Sequence, residues 1–211
     1  PFNVVRIILL KIGGVSLDFS VKVSHHVQMN KNVVIGNNSS IGSFTTIGPN
    51  TVISSGVFVG ENSLILNTKI GNNTRVNTGS QVIGTKSSRI SIGDNSTIGY
   101  YSILDGSGGL TIGDFVHIAS PSVGIWTHSS IDNALNRVPI NDASYQSNLR
   151  FGEVSIGDNV WIGGNSTVYP ETTISKNCVV LSNSVVNKNL SSNFMYGGSP
   201  VKKIRDLKEN R

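Results

Sequence analysis

The 211-residue chain contains a single cysteine, Cys178, and only 14% of its residues are charged. One cysteine excludes an intrachain disulfide framework and fits a reducing compartment, so we expect a cytoplasmic protein. No apolar run approaches the ~20 residues that a membrane span requires, and the apolar segment 4–10 is short and contains Arg6. The abundant Val, Ile, Ser, Thr, Asn and Gly residues favour short strands with tight corners over helices.

A net charge of +5 is compatible with nucleic-acid binding, but the distribution of the basic residues along the chain argues against it. The basic residues are scattered, and aromatic residues are not interleaved with them. The densest basic cluster lies in the tail and comprises Lys202, Lys203, Arg205, Lys208 and Arg211. We therefore expect no nucleic-acid partner, and such a cluster suits a small phosphate-bearing ligand.

An aliphatic residue recurs every six positions along much of the chain. A period of six is neither the 3.6 of a helix nor the alternation of a strand, and it is typical of a solenoid built from hexapeptide repeats. The ladder runs from Ile35 to Ile118 with small shifts of frame and a break around Lys86 and Arg89. Its clearest run comprises Ile156, Ile162, Val168, Ile174, Val180 and Val186.

Each six-residue unit is interpreted as a short strand followed by a corner. Three units form a triangular coil of about 18 residues, so the strands stack in parallel on three faces of one all-β body. Gly and Asn at the corners tolerate a positive φ, which most other residues avoid. The residue two positions before each ladder aliphatic should also point inward and be small. That position holds Ser39, Thr45, Ser96, Val116, Ser166 and Cys178.

The first residues do not follow the repeat. In residues 1–17, Val4, Ile7 and Ile8 recur at helical spacing, which predicts a short helix that ends at Gly13-Gly14. We expect this segment to cover the open end of the solenoid, because terminal repeats need a cap. Contact with a membrane surface or a partner is the alternative interpretation.

Residues 18–200 are predicted to form the β-helix domain, with one long interruption at 126–152. Long loops in compact proteins are often functional, and insertions between the coils of a solenoid often form its binding face. The tail 201–211 is predicted to contain a short amphipathic helix, because three apolar residues stand at helical spacing: Val201, Ile204 and Leu207.

Of the four histidines, only His128 stands in the interruption. A histidine on a loop beside a rigid scaffold suits a general base, because imidazole titrates near neutral pH. His117 precedes an inward ladder position and should lie on the surface, while His25 and His26 are interpreted as structural. Cys178 should point into the core as a small hydrophobic residue, so it is not the expected nucleophile. Histidines, cysteines and acidic residues lack the clustering of metal ligands, and we predict no metal site.

Three motifs accompany the ladder between residues 92 and 207. They are Trp126-Thr127-His128, VSIGDNVWIGGNSTVYP at 154–170 and GGSPVKKI at 197–204. Together with the ladder they resemble the hexapeptide-repeat acetyltransferases, in particular the sugar O-acetyltransferases that modify small sugars or the precursors of capsule and lipopolysaccharide. The resemblance implies a left-handed parallel β-helix, a homotrimer with active sites between neighbouring subunits, acetyl-CoA as donor and a sugar or glycan hydroxyl as acceptor.

The resemblance also implies roles for individual residues. His128 would be the catalytic general base, and Asp105 or Asp132 would orient it or contact the acceptor. Trp161 would form a wall near the thioester of acetyl-CoA. Contacts to the pantetheine arm are implied for Gly164, Ser182 and Asn187, and contacts to the phosphates of CoA for Lys188, Lys202 and Arg205.

The chain departs from the family pattern at several positions. Asn187-Lys188-Asn189-Leu190-Ser191 stands where family members often have Thr-Lys-Asp-hydrophobic-Pro, and Val201 replaces the usual Ala. Ser129-Ser130 replaces the usual acidic and proline residues after the histidine, and the interruption is longer than in the small-sugar enzymes. We therefore expect a different acceptor sugar, such as a larger glycan.

Two other functions remain open. An amino-sugar N-acetyltransferase of nucleotide-sugar biosynthesis would share the coils. Such enzymes often carry a separate nucleotide-binding domain ahead of them, whereas here the first coil begins almost at once. A non-catalytic β-helix scaffold is the third hypothesis, and the joint presence of His128, Trp161 and Lys188 argues against it.

Overall fold

The structure, a computed structural model, describes residues 2–207 and consists of a parallel β-solenoid with three faces. The first face contains β1 (Ser16–Leu17), β4 (Val34–Ile35), β7 (Val52–Ile53), β10 (Thr68–Ile70), β13 (Ile90–Ile92), β16 (Leu110–Ile112), β21 (Val154–Ile156) and β24 (Thr173–Ile174). The second contains β2 (Lys22–Val23), β5 (Ser40–Ile41), β8 (Phe58–Val59), β11 (Arg75–Val76), β14 (Thr97–Ile98), β17 (His117–Ile118), β22 (Trp161–Ile162), β25 (Val179–Val180), β27 (Phe194–Gly197) and β28 (Lys202–Asp206). The third contains β3 (Gln28–Met29), β6 (Thr46–Ile47), β9 (Leu64–Leu66), β12 (Gln81–Gly84), β15 (Ile103–Gly106), β18 (Gly124–Ile125), β23 (Thr167–Val168) and β26 (Val185–Val186).

The chain visits the three faces in turn, and the strands of each face pair in parallel with those one coil away, except for the final strand β28. We call the turn from the first to the second face the first corner, the next turn the second corner, and the return to the first face the third corner. The all-β parallel solenoid expected from the period of six is therefore confirmed. Its left-handed sense stays a prediction from the family resemblance.

The ladder aliphatics form the core. From Ile35 to Val186 each of them is exposed by 3% or less, and the predicted small inward residues are exposed by 1% or less. Burial of an aliphatic side chain contributes about 1.5–3 kcal/mol, so the stacked ladder is the main source of stability. The inward hydroxyls are satisfied, as when Thr45 Oγ1 donates to the carbonyl of Gly60 at 2.8 Å.

Asn and Gly have different roles at the corners. Asn has a positive φ at many corner positions, for example 56° at Asn38 and 53° at Asn95, as predicted. The Gly that follows a ladder aliphatic does not adopt this conformation. At Gly42 an added Cβ would lie 2.6 Å from the backbone nitrogen of Glu61, and at Gly60 it would lie 2.4 Å from that of Thr78. This glycine is therefore required for the close approach of neighbouring coils, which corrects the expectation drawn from its conformational freedom.

The N-terminal end is capped by α1 (Phe2–Ile12), which confirms the helix predicted for this segment. Gly14 follows the helix at a φ of 89°. The side chain of Asn3 donates to the carbonyl of Val21 at 2.9 Å and accepts from the N–H of Val23 at 2.9 Å, in the way that another strand would. Ile7 is fully buried, so α1 covers both the open backbone edge and the end of the core.

The C-terminal end is closed by a strand, and the short helix predicted for the tail is wrong. β28 pairs antiparallel with β27 and supplies hydrogen-bond partners to its otherwise open edge. Val201 is buried while Ile204 is 52% exposed, so the spacing of these apolar residues does not reflect a helix face. Lys203 Nζ lies 3.1 Å above the centre of the Phe194 ring. Lys208 and Arg211 of the basic cluster lie outside the described residues.

Candidate active site

The predicted interruption at 126–152 leaves the solenoid at the third corner and returns at the same level. β19 (His128–Ser129) pairs antiparallel with β20 (Arg150–Phe151), and α2 (Ile131–Leu135) lies between them in the chain. The N–H of Gly152 donates to the carbonyl of Thr127 at 2.9 Å. The two ends of the insertion are therefore held together, and its first strand carries His128.

His128 and Asp105 are in direct contact. His128 Nδ1 lies 2.8 Å from Asp105 Oδ2, although the two residues are 23 positions apart in the chain. Asp105 is at the end of β15, and β18 of the next coil pairs with that strand just before the insertion. The stacking of consecutive coils therefore brings the carboxylate and the imidazole together.

Asp105 is held in a dense set of hydrogen bonds and is only 7% exposed. Its Oδ1 accepts from the N–H of Ser107 at 3.1 Å and from Ser107 Oγ at 2.6 Å, and its Oδ2 accepts from the N–H of Thr127 at 2.9 Å. Thr127 Oγ1 also lies 2.9 Å from Oδ2. Burial by itself would raise the pKa of Asp105, but the hydrogen bonds from Ser107, His128 and Thr127 outweigh it and lower the pKa to about 2.

This environment fixes the state of the histidine. An ionised carboxylate only accepts hydrogen bonds, so Nδ1 of His128 must carry the proton in the contact with Asp105. The lone pair of a neutral imidazole is then on Nε2. Within residues 2–207 this nitrogen has no hydrogen-bond partner, and the side chain is 36% exposed. The arrangement suits the removal of a proton from a bound hydroxyl.

Asp132, the second acid suggested by the sequence, does not contact His128. It lies in α2 and forms a two-pronged ion pair with Arg150, in which Nη2 is 2.8 Å from Oδ1 and Nε also donates to Oδ2. This pair raises the pKa of Arg150 through the hydrogen bond to Asp132. Asp132 therefore does not orient the histidine in this chain and instead ties α2 to β20, while its contact with the acceptor stays a prediction.

Three of the residues suggested for CoA lie on β22 of the second face or at the second corner that follows β22 and β25. Trp161 is half-buried in β22, where it pairs in register with His117 of the preceding coil. Gly164 follows at the second corner, and an added Cβ there would lie 2.3 Å from the carbonyl oxygen of Ser120. Ser182 is exposed at the same corner one coil further on. The packing of neighbouring coils thus requires a glycine at position 164 whether or not a ligand binds there.

The other four suggested residues lie further along the chain. Asn187 and Lys188 are exposed at the third corner, after β26, and Lys202 and Arg205 are exposed on β28, the last strand of the second face. One chain therefore does not gather all seven residues at one corner of the prism. His117 is exposed, as predicted. The ring of His26 stacks on that of Phe44 at 4.9 Å, and the structural interpretation of His25 and His26 stays a prediction.

Sequence inspection did not single out the residues that support the His–Asp pair. Ser107 and Thr127 hold the carboxylate, and the ring of Phe151 lies 6.2 Å from that of His128. Thr127 had been noted only as part of a motif. The sequence signal for Thr127 was its position directly before the histidine. The pairing of β19 with β20 could not be predicted, because these strands do not follow the six-residue repeat.

These features define a β-solenoid that presents an imidazole oriented by a carboxylate at an insertion. Among the described residues no group of three or more His, Cys, Asp or Glu side chains is arranged to hold a metal ion. The profile of the bacterial transferase hexapeptide (six repeats) matches residues 26–61 and 153–188, and that of the hexapeptide repeat of succinyl-transferase matches 89–120. The chain belongs to the hexapeptide-repeat acetyltransferase family.

Curated relatives support this assignment. WbbJ of Escherichia coli strain K12, provisionally named a lipopolysaccharide biosynthesis O-acetyl transferase, is 32% identical over 55% of this chain and 71% of its own length. The dTDP-4-amino-4,6-dideoxy-D-glucose acyltransferase of Escherichia coli is 30% identical over 66% of this chain and 72% of its own length. A provisionally named acetyltransferase of Saccharomyces cerevisiae, YJL218W, is 37% identical over 58% of each chain, so this chain spans little more than half of that relative.

Solved structures share the fold over nearly the whole chain. The N-acyltransferase AntD from Bacillus cereus, solved with dTDP and 3-hydroxybutyryl-CoA, has a TM-score of 0.61 and 25% identity, and covers 96% of this chain and 88% of its own. The UDP-N-acetylglucosamine acyltransferase of Francisella novicida has a TM-score of 0.68 at 18% identity, covering 92% of this chain and 69% of its own. Within residues 2–207 no helix has the length and apolar character to cross a membrane.

Proposed function

We propose that the protein transfers an acetyl group from acetyl-CoA to a hydroxyl of a sugar or glycan, such as a precursor of a bacterial surface polysaccharide. The observation that carries the proposal is the contact of 2.8 Å between His128 Nδ1 and Asp105, which leaves Nε2 available at a solvent-accessible position. A carboxylate-oriented imidazole suits an acceptor whose proton must be removed during attack.

The proposed reaction is direct transfer. Nε2 of His128 takes the proton of the acceptor hydroxyl while the hydroxyl oxygen attacks the thioester carbonyl carbon. Collapse of the tetrahedral intermediate breaks the carbon–sulfur bond, and the imidazolium returns the proton to the departing sulfur of CoA. Asp105 remains ionised and stabilises the imidazolium that forms between these steps.

The main competing function is transfer to an amino sugar. AntD supports it, because that N-acyltransferase is covered over 88% of its length and was solved with dTDP. An N-acyltransferase can therefore consist largely of such coils, and the start of the first coil no longer counts against an amine acceptor. A neutral amine is already nucleophilic and needs less help from a base, so the His–Asp pair favours a hydroxyl.

The distribution of the suggested CoA contacts fits a site between subunits of a homotrimer. Trp161, Gly164 and Ser182 belong to the second face and second corner, whereas Lys188 is at the third corner, two coils after the insertion. Residues at different corners of a prism meet in one groove only when two prisms lie side by side. The inferred assembly would place the His128 of one protomer opposite the second corner of its neighbour.

The experiment is a screen of acetyl transfer from acetyl-CoA to hydroxyl-bearing and amine-bearing sugars, with CoA release as the rate and mass as the product readout. In His128→Ala we expect a loss of about 10²–10⁴-fold in kcat with retained CoA binding. His25→Ala is the matched control, because its ring contacts Ser43 Oγ at 3.2 Å and lies in the first coil.

Each outcome of the screen separates the hypotheses. Acetylated hydroxyl products that depend on His128 support the proposal. Transfer only to amines would support the amino-sugar N-acetyltransferase function instead. Full activity in His128→Ala, or no CoA binding by the wild-type protein, would contradict the mechanism.

A further inference from the structure

The outward face of α1 is apolar although it lies at the surface. Its inward face packs on the first coil through Ile7, which is fully buried, and Leu10. Val4 and Ile8, which the sequence pattern had grouped with Ile7, instead point away from the core. The outward stripe follows helical spacing and is exposed by 44–78%, and it comprises Val4, Val5, Ile8, Leu9 and Ile12. A helix that is apolar on both faces normally has both faces covered.

The surroundings of this stripe are positively charged. Residues 1–60 contain four basic residues, which are Arg6, Lys11, Lys22 and Lys31, against one acidic residue, Asp18. The three lysines are exposed, and Lys31 lies beside Gly14 at the end of α1. Phe19 is 56% exposed, and the Nζ of Lys11 lies 4.6 Å from the centre of its ring. The end of the solenoid thus combines aliphatic side chains, an exposed aromatic ring and cations.

A groove of about 260 Å³ runs beside the helix, between α1 and the first coil. Its lining includes the apolar side chains of Leu9 and Leu10 together with Arg6 and His26. Arg6 Nη1 donates to the carbonyl of Val23 at 3.1 Å, which fixes the guanidinium at this place. An apolar wall next to a fixed cation suits the phosphate and the upper acyl chain of a phospholipid.

We propose that α1 docks the protein, end-on, onto a membrane surface that contains anionic lipid. Helices with an exposed aliphatic face and flanking cations bury that face at the boundary between headgroups and acyl chains. At 11 residues α1 is about 16 Å long, so it lies in the interface and does not span it.

A second copy of the chain fits this face less well than a bilayer does. A helix about 16 Å long and about 10 Å wide offers a footprint far below the ~800 Å² per partner of a stable protein interface. Two copies facing each other through this end would also bring the cations of both together. A bilayer with anionic headgroups provides opposite charge and an apolar phase without a matching protein surface.

The test is flotation with lipid vesicles of two compositions, phosphatidylcholine alone and phosphatidylcholine with about a third phosphatidylglycerol. The stripe variant, Ile8→Gln, Leu9→Gln and Ile12→Gln, replaces three of the five stripe residues with Gln, which is compatible with a helix. The matched control is Ile131→Gln, Leu135→Gln and Ile140→Gln, which changes three aliphatic residues of the insertion that are 58%, 76% and 84% exposed.

We expect the wild-type protein and the control to bind the anionic vesicles, and the stripe variant to bind at least roughly tenfold more weakly. Replacing Lys11, Lys22 and Lys31 by Gln should weaken binding by about fivefold per charge, and added salt should act in the same direction. Circular dichroism verifies that the variants are folded.

Two results would overturn the proposal. The first is no binding of the wild-type protein to either kind of vesicle, and the second is equal binding by the wild type and the stripe variant. In the first case, a lower molar mass of the stripe variant in sedimentation would assign the face to self-association. None of these measurements depends on acetyl transfer, so the docking proposal and the proposed function fail separately.

Discussion

Replacing Asp105 with Asn tests the His–Asp pair with almost no change in side-chain shape. Both carboxylate oxygens accept hydrogen bonds, Oδ1 from Ser107 and Oδ2 from Thr127 and His128. The amide of Asn has one oxygen and one NH2 group. In either orientation the NH2 group meets an N–H of Ser107 or Thr127, and one buried donor loses its acceptor.

The magnitude follows from the pKa of Asp105. Its value of about 2 lies almost two units below the 3.8 of an unperturbed aspartate. At 1.36 kcal/mol per unit this corresponds to about 2–3 kcal/mol of stabilisation of the folded state. The side chain is only 10% exposed, so screening by solvent reduces this figure little.

The pH dependence has a definite sign. A depressed pKa stabilises the folded protein fully above pH 3.8, and this contribution is lost as the pH falls through about 2. We expect Asp105→Asn to lower the free energy of unfolding by about 2–3 kcal/mol at neutral pH, measured by urea denaturation. The difference between variant and wild type should shrink below pH 3.8.

The same variant should also lower kcat. Without the carboxylate, His128 loses both its fixed orientation and the stabilisation of its imidazolium, so we expect a loss of about 10²–10⁴-fold. The KM for acetyl-CoA should change little. Asp142→Asn is the matched control, because Asp142 accepts from the N–H and hydroxyl of a serine two residues on, as Asp105 does, but has no histidine partner among the described residues. Wild-type kcat and unchanged stability in Asp105→Asn would refute the reasoning.

Two further predictions concern the insertion and the cysteine. In Arg150→Gln the ion pair to Asp132 is lost, so limited proteolysis should cut within 131–149 faster and the KM for the acceptor should rise, with CoA binding unchanged; an unaltered cleavage pattern would contradict this. Cys178→Ala should retain kcat within about twofold because no covalent intermediate is proposed, at a cost of about 1 kcal/mol in stability. Burial raises the pKa of the Cys178 thiol, so we also expect the native protein to react slowly with thiol reagents, and fast labelling would show that the residue is accessible.

The sequence was sufficient for the fold because one simple physical rule repeats. An aliphatic residue every six positions is buried when the coils stack, and each coil packs against its neighbours in nearly the same way. The tail lacked such a rule. The spacing of Val201, Ile204 and Leu207 alone fits a helix. The segment instead forms a strand, because the open edge of β27 provides backbone hydrogen-bond partners for it.

The candidate site was predictable only in part. His128 was apparent because it stands where the period stops, and Asp105 was one of two acids suggested by resemblance. The choice between Asp105 and Asp132 depended on which coil stacks on which, since the contact spans 23 residues. The supporting hydroxyls of Ser107 and Thr127 carry no distinct pattern, because serine and threonine are common at every corner.

The irregularities of the ladder explain why the site lies at the third corner. From Ile35 to Val186 the spacing between ladder residues is six at the first corner throughout, and at the second corner only the step from Ile118 to Ile125 differs. At the third corner four successive steps differ, and they are Ile65 to Ile70, Val82 to Ile92, Leu104 to Ile112 and Ile125 to Ile156.

A strict six-residue corner has inward positions for aliphatic or small residues only, and a buried carboxylate would be costly there. The lengthened third corner adds Asp105 and Gly106 to β15 beyond the ladder residue Leu104. Ser107 and Thr127 can then satisfy the carboxylate, and the next coil extends further to present His128. The frame shifts are thus part of the site, and a chain with the third corner restored to six residues should keep the solenoid but lose the His–Asp pair.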